Sequence, residues 1–374
     1  MKVSGPEAKT LLELVPESRL ERKLSEAFDV LQQAATQYPD RIWEVGFSGG
    51  KDSSVVSHIV FDYISQHQEK TLPLPKKVMI LYSDTLLDIP ILRRHTLATL
   101  NSMKAYAQRF DGLVEVKILK PEQGHDYFSL LIDRGYPAPH FKFRWCMDRL
   151  KMEPTVDFLA TVGDFCMVTG VRSDESNARR RNMVRRQQTE PISVVDGVPL
   201  IAPLLTWSQE DVWAFLMAKP QPWSGESYNA LFEIYRLGDN LEGCGRCVMT
   251  PSSRFGCWVC TVVSKDRLLT SFAKFGNEYK MMLEAKERIR QISLKREFRE
   301  VGPNGKYKGL NQDGRREVVL LLAEVLVRAP SAIEAYLEDD ILRTKIKKWL
   351  EDVYKVTGSP IIEKALTRIE ILSR

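Results

Sequence analysis

No apolar run in the 374-residue sequence approaches the roughly 20 residues that a membrane-spanning helix needs. The opening stretch, Met1 to Arg19, has scattered charges and no apolar segment of the signal-peptide kind, which predicts a cytoplasmic protein with no membrane partner. Neither sign of charge dominates: 54 basic against 49 acidic side chains leave +5, too mild to specify a polyanion partner by itself. Six cysteines in such a chain do not suggest a disulfide framework and point instead to metal ligation or thiol chemistry. There is no internal repeat. What is present, 44% apolar and 28% charged residues, suits a large α/β domain with smaller helical parts.

Apolar spacing at Leu20, Leu24, Phe28 and Leu31 predicts an amphipathic helix over Arg19–Tyr38. A short β-type run, Ile42–Phe47, then ends in Ser48-Gly49-Gly50, and Val55, Val56, Ile59, Val60, Tyr63 and Ile64 recur on one helical face after it. Further strands are expected at Val78–Tyr82, Val114–Leu119 and Phe165–Val171, with helical patterns between most of them. That alternation argues for a parallel sheet with helices on both faces. Asp196-Gly197 between two apolar runs, Ile192–Val195 and Val198–Ile201, is a hairpin signal. Ser208-Gln209-Glu210-Asp211 has the form of a capped helix start. Residues 220–254, rich in Gly, Pro and Ser, read as loop, and the chain from Tyr279 onward reads as helical, broken at Gly302-Pro303, Pro330 and Gly358-Ser359-Pro360. The expected division is an N-terminal helical segment (1–40), an α/β domain (41–218), a cysteine-rich region (219–275) and a helical C-terminal region (276–374).

The hexapeptide Ser48-Gly49-Gly50-Lys51-Asp52-Ser53 carries the most chemistry. Adjacent glycines let backbone N–H groups approach a ligand, and the following helix presents its positive end there. Lys51 adds a cation, Ser48 and Ser53 add hydroxyls, and Asp52 can steer Mg²⁺ or orient the lysine. A glycine turn with a polar cap is the plainer reading, but the whole hexapeptide between an apolar strand and an amphipathic helix favours phosphate binding. The spacing of a Walker A loop is absent.

The hexapeptide resembles the PP-loop of the adenine nucleotide α-hydrolase-like superfamily, which includes PAPS reductases, ATP sulfurylases, tRNA thiolases and GMP synthetases. That resemblance implies ATP as the cofactor, attack at its α-phosphate, and nucleotide contacts from Ser83 and Asp84 after a second strand and from Gly170 and Arg172 after a later one. Ligands of open α/β sheets gather at the carboxyl ends of strands, so these segments should converge. Further stretches narrow the likeness. They are Arg134–Pro139, Lys142–Cys146, Asp148–Pro154, Gly170–Ser176, Pro203–Trp207, Asp211–Trp213 and Arg254–Thr261. In this order they resemble the sulfurtransferases of bacterial DNA phosphorothioation, the DndC family and its shorter SspD-type relatives. The likeness spans about Arg41 to Asp266, and this chain is shorter than the longer members. It implies an enzyme that replaces a non-bridging oxygen of the DNA backbone phosphate with sulfur. DNA, a cysteine desulfurase as sulfur donor and other phosphorothioation proteins would be its partners.

Cys244-Gly245-Arg246-Cys247 and Cys257-Trp258-Val259-Cys260 are two C-x-x-C pairs, and four such thiolates can hold structural zinc. The resemblance implies instead a 4Fe–4S cluster held by Cys146, Cys247, Cys257 and Cys260, with Cys244 spare or substituting. Cys146 has a second reading: Arg144, Arg149 and Lys151 around it would stabilise a thiolate suited to carrying a persulfide. Cys166, within an apolar run, is expected in the core. Arg179, Arg180, Arg181, Arg185 and Arg186 crowd one segment, as a solvated run or as a contact to ATP phosphates or a DNA backbone. Tyr127, Phe141, Phe143 and Trp145 hint at a stacking surface. Catalysis is assigned to Lys51 and Asp52 for the ATP step and to Cys146 for the sulfur step. A PAPS/APS-reductase-type oxidoreductase, a tRNA thiolase and a catalytically idle DNA-binding subunit are the rival readings.

Overall fold

The computed structural model describes residues 15–174, 188–239, 256–263 and 266–372. The chain opens with α1 (Glu17–Gln37), whose buried Leu20, Ala27, Leu31, Ala34 and Ala35 repeat at helical spacing along one face. Then follow β1 (Ile42–Gly46), α2 (Lys51–Lys70), β2 (Lys77–Ser83), α3 (Pro90–Ala107), β3 (Val114–Leu119) and α4 (Tyr127–Ile132). A helical turn Trp145–Met147, a π-helical turn Asp148–Met152 and α5 (Glu153–Ala160) lead into β4 (Phe165–Val168). The hairpin β5 (Ile192–Val195) and β6 (Val198–Ile201), then α6 (Gln209–Ala218) and α7 (Asn229–Asp239), complete this half.

Six strands form one sheet in the order β3-β2-β1-β4-β6-β5, parallel except for β5 against β6. The hairpin closes on Asp196 and Gly197, both at positive φ, as a two-residue turn of that twist requires. Alternation along β1 and β2 splits their side chains between two faces. Trp43, Val45, Val78, Ile80 and Tyr82 join a core with α1, α2, α3 and α6, and Ile42, Met79 and Leu81 pack against Leu159 of α5. Each of these fully buried side chains contributes about 2 kcal/mol. From β1 the chain winds outward to β2 and β3, then returns beside β1 as β4. The carboxyl ends of β1 and β4 therefore flank a topological switch point, where the helices on either side leave a crevice.

The second core is helical. It joins α8 (Arg267–Phe272), α9 (Asn277–Leu294), α10 (Gln312–Arg328), α11 (Asp340–Thr357) and α12 (Pro360–Leu372) to Leu86–Leu92, α4, Trp145 and Trp258. The helical tail thus shares its interior with segments inserted between the strands. Two expectations need correction. Residues 220–254 are not all loop, because α7 lies among them: Leu231, Phe232, Ile234 and Tyr235 are buried on one face, a spacing hidden by the surrounding Gly, Pro and Ser. The region after Tyr279 is not all helix either, since β7 (Arg299–Val301) and β8 (Tyr307–Leu310) pair across the Gly302-Pro303 break. The fourth strand stops at Val168, short of Val171. No helix among the described residues is long and apolar enough to cross a membrane.

Candidate active site

Ser48–Ser53 turns from β1 into α2 at the switch point. Ser53 Oγ donates to Gly50 O at 2.9 Å and accepts from Ser48 N at 3.2 Å, so the loop is laced to its own helix. Gly49 holds φ +71°, and a Cβ there would stand 2.0 Å from Thr96 Oγ1 of α3, so both conformation and space demand glycine. Gly50 caps α2 with no side-chain hydrogen bond, leaving the positive end of the helix toward the crevice. The N–H of Lys51 donates to Tyr235 Oη of α7 at 3.2 Å.

Asp52 is held between two cations. Lys51 Nζ lies 2.9 Å from Oδ2, and Arg172 Nε, from beyond β4, lies 2.7 Å from Oδ1. Gly170 makes this possible, because a Cβ at that position would press to 3.1 Å on the Asp52 backbone. Arg172 is 3% exposed, and its Nη1 has no hydrogen-bond partner among the described residues. These groups line a cavity of about 780 Å³ together with Glu44, Ser83, Asp88, Thr96, Lys151 and Thr155. The arrangement suits a polyphosphate: an open helix end, a cation fixed by a carboxylate, and a buried guanidinium with donor capacity to spare.

Asp84 does not line the cavity. It is buried, accepts from Arg93 Nε and Nη2 at 3.1 and 2.9 Å and from Leu86 N at 2.9 Å, and so anchors the start of α3, the helix that sets Thr96 over Gly49. Ser83 does line it, bonded to Thr155 Oγ1 at 3.0 Å.

Thiols gather beyond the far wall. The Cys257 backbone pairs with Asp88 as an isolated bridge, and its Sγ lies 3.2 Å from Thr85 Oγ1 and 3.7 Å from Asp88 Oδ1. Trp258 N donates to Leu87 O at 2.9 Å, and Thr261 Oγ1 to Pro139 O at 2.6 Å, seating the segment against the Arg134–Cys146 region. Cys146, Cys257 and Cys260 all lie near enough to Tyr127 for their charge to oppose its ionisation, after burial the main cause of its raised value. The Tyr127 hydroxyl is buried with no partner among the described residues. Lys151 lines the cavity and also feels the charges of Cys257, Asp88, Cys146 and Cys260, so it stands between the two places.

The expectation that basic neighbours stabilise a Cys146 thiolate is corrected. Burial pushes the thiol up to about 11, the nearby Cys260 adds to the rise, and Lys151 offsets only a little of it. Arg149 is spent on Glu153, and Arg144 lies over the Phe141 ring. Burial likewise pushes Cys257 up to about 12. The stacking surface is also revised: Tyr127 and Trp145 are core, and only Phe141 and Phe143 are exposed. Cys166 is fully buried in the core, as expected. Cys244, Cys247 and the arginines from Arg179 to Arg186 lie outside the described residues. Among those described, no set of three or more His, Cys, Asp or Glu is disposed to hold a metal ion.

The sequence reading passed over Thr96, Tyr235, Thr155 and Glu44. Only Glu44 left a local sign, a carboxylate within an apolar strand. The other three reach the site from helices whose patterns look like ordinary packing.

Residues 43–263 match the family model described as phosphoadenosine phosphosulfate reductase domain. Two uncharacterized proteins of Methanocaldococcus jannaschii are each 25% identical, one over 209 residues (56% of this chain, 42% of that protein) and one over 216 (57% and 36%). An uncharacterized 37.8 kDa protein of Escherichia phage 186 is 26% identical over 177 residues, 43% of this chain and 48% of that one. The matches thus span less than half the length of these curated relatives. Among solved structures, phosphoadenylyl-sulfate reductase from Candida auris is 17% identical with TM-score 0.35, covering 54% of this chain and 86% of that one. FMN adenylyltransferase from Candida glabrata is 15% identical with TM-score 0.35, covering 62% and 68%.

Proposed function

Because the chain belongs to the phosphoadenosine phosphosulfate reductase domain family, a family that works on nucleotides, we propose that it cleaves ATP to AMP and pyrophosphate to activate an acceptor for sulfur. The observation that carries this reading is the Lys51–Asp52–Arg172 cluster beside the glycine loop at the switch point. An acceptor oxygen attacks the α-phosphate, and pyrophosphate leaves against the loop amides, Lys51 and Arg172, with Mg²⁺ offsetting the remaining charge. Asp52 keeps both cations aimed before substrate arrives. Sulfur then displaces AMP from the adenylated acceptor.

The acceptor in this proposal is a non-bridging oxygen of a DNA backbone phosphate, and a cysteine desulfurase supplies the sulfur with other phosphorothioation proteins. The motif order from Arg134 to Thr261 supports it. The sulfur step belongs to the thiol end. The family likeness names Cys146, Cys257 and Cys260, with Cys247 as fourth, as iron–sulfur ligands; the three described thiols are not disposed to hold a metal as they stand, and the unpartnered Tyr127 hydroxyl near them is what supports a group bound there. Such a cluster would supply a site that binds or delivers sulfide, and a structural zinc would be the alternative occupant. The raised thiols of Cys146 and Cys257 would release their protons on binding either one.

The test is pyrophosphate release from ATP by the parent, Lys51→Ala and Cys146→Ser proteins with acceptor DNA present. Lys51→Ala should be slower by roughly 100-fold, the usual cost of removing one charge-stabilising group. Cys146→Ser should release pyrophosphate near the parental rate and yield no sulfur-containing product. Release by Lys51→Ala at the parental rate would falsify the assignment. The family match favours a second reading, reduction of an activated sulfate carried on a nucleotide. Sulfite released from that nucleotide with a thiol reductant and no ATP would select it.

A further inference from the structure

Glu44 occupies a place where a carboxylate is costly. It is the third residue of β1, level with Met79 of β2 and Met167 of β4, in the centre of a parallel sheet. It is 4% exposed and makes no ion pair among the described residues. Its side chain leaves on the α5 face, on the same side as Gly46, and lines the cavity below the loop. Asp52 in the same cavity has Lys51 and Arg172, and Asp174 lies 3.8 Å from Arg172. Asp88, also in the lining, accepts from Tyr82 Oη at 2.8 Å, whereas Glu44 faces the space with neither an ion pair nor a hydrogen bond among the described residues.

Position suggests what it meets. It lies four positions before Ser48, about 13 Å at the rise of an extended strand. A nucleotide with its outer phosphates on Ser48–Ser53 reaches that far with its ribose and base. The bonded Ser83 and Thr155 hydroxyls lie on the same floor. We propose that Glu44 reads the base, as a neutral carboxyl that accepts from the N6 amine of adenine and donates to N1. This rests on the nucleotide reading above and adds to it the choice of base.

The two forms of the side chain select different bases. A neutral carboxyl offers an acceptor beside a donor, the complement of the adenine edge. An ionised one offers acceptors only and matches the N1–H and N2–H donors of guanine. Burial raises the Glu44 carboxyl to about 7, and no charged neighbour contributes. The charges on elements around it are Lys77 of β2 (paired with Glu115), Asp148, Arg149 and Lys151 of the π-helical turn, and Glu153 and Asp157 of α5. β4 carries none. The neutral form is therefore available at the lower end of the physiological range and lost above it.

Calorimetric titration of the full chain with α,β-methylene ATP and its guanosine counterpart, at pH 6 and pH 8.5, tests this. For the parent, affinity for the adenosine analogue should fall about 30-fold with pH, following the loss of the neutral carboxyl, relative to the guanosine analogue. Glu44→Gln, a fixed donor–acceptor pair, should abolish that difference and keep tight adenosine binding at pH 8.5. Glu44→Leu should lose the preference between bases. A parent with no differential pH effect, or a Glu44→Gln protein that retains it, overturns the proposal. Inorganic pyrophosphate, with Lys51→Ala as control, reports on the loop alone. If pyrophosphate binds and base preference never depends on Glu44, only this inference fails; if neither nucleotide nor pyrophosphate binds, the nucleotide reading fails with it.

Discussion

At the loop end of the cavity Asp52 lies 2.9 Å from Lys51 and 2.7 Å from Arg172, while at the far end Cys146 and Cys257 are half-buried acids whose ionisation Lys151 and a few hydrogen bonds favour too weakly to offset desolvation. In the first arrangement each charge has an oppositely charged partner within 3 Å. The second suppresses charge: burial drives the thiols neutral until something cationic replaces their protons. One end is thus ready for a phosphate as it stands, and the other is suited to a group that brings positive charge. Glu44 lies between them in character, more deeply buried than the thiols but titrating near neutrality.

The largest effect by which this contrast can be broken concerns Glu44. Its ordinary value of 4.5 is raised to about 7 in the fold, so the folded state holds a proton that the unfolded state has lost. Stability is therefore fully present below pH 4.5 and falls as pH rises through 7, by about 3 kcal/mol in all. Denaturant unfolding of the parent against Glu44→Gln should show the variant gaining that much relative stability between pH 4.5 and pH 8.5. Parallel curves would mean that Glu44 is paired after all. Next in size is Gly49→Ala, which needs a left-handed backbone and meets Thr96. It should cost about 2 kcal/mol in thermal unfolding and weaken pyrophosphate binding, with reactivity of the far thiols unchanged. Coupled loss at both ends would show that the two are one unit. The smallest effect is expected for Tyr127→Phe in metal-free protein, where the hydroxyl has no partner to lose. Stability should change by less than about 1 kcal/mol; a larger loss would mean that the hydroxyl is already bonded.

How far the site could be read in advance follows sequence separation. Ser48–Ser53 is a contiguous turn whose chemistry is local, so residue type and order suffice. Gly170 and Arg172 were anticipated as a strand-end element, but their reason is tertiary: one lets β4 abut α2 and the other closes on Asp52, 120 residues away. Asp84 was expected at the nucleotide for its position after β2, and its ion pair with Arg93 shows an anchoring role that spacing does not reveal. Tyr235 was missed because Gly, Pro and Ser around α7 masked an apolar face. For Cys146 the adjacent basic residues suggested an activated thiolate, and burial reversed the sign.

By itself the sequence determined the alternation of strands and helices, the hairpin at Asp196-Gly197 and the phosphate-type loop, because each depends on backbone preferences and periodicity within a few residues. Tertiary structure decided which charges are paired and which are merely buried. Ionisation depends on what surrounds a group in three dimensions, and those surroundings come from β4, α3, α5 and α7 as much as from the loop itself.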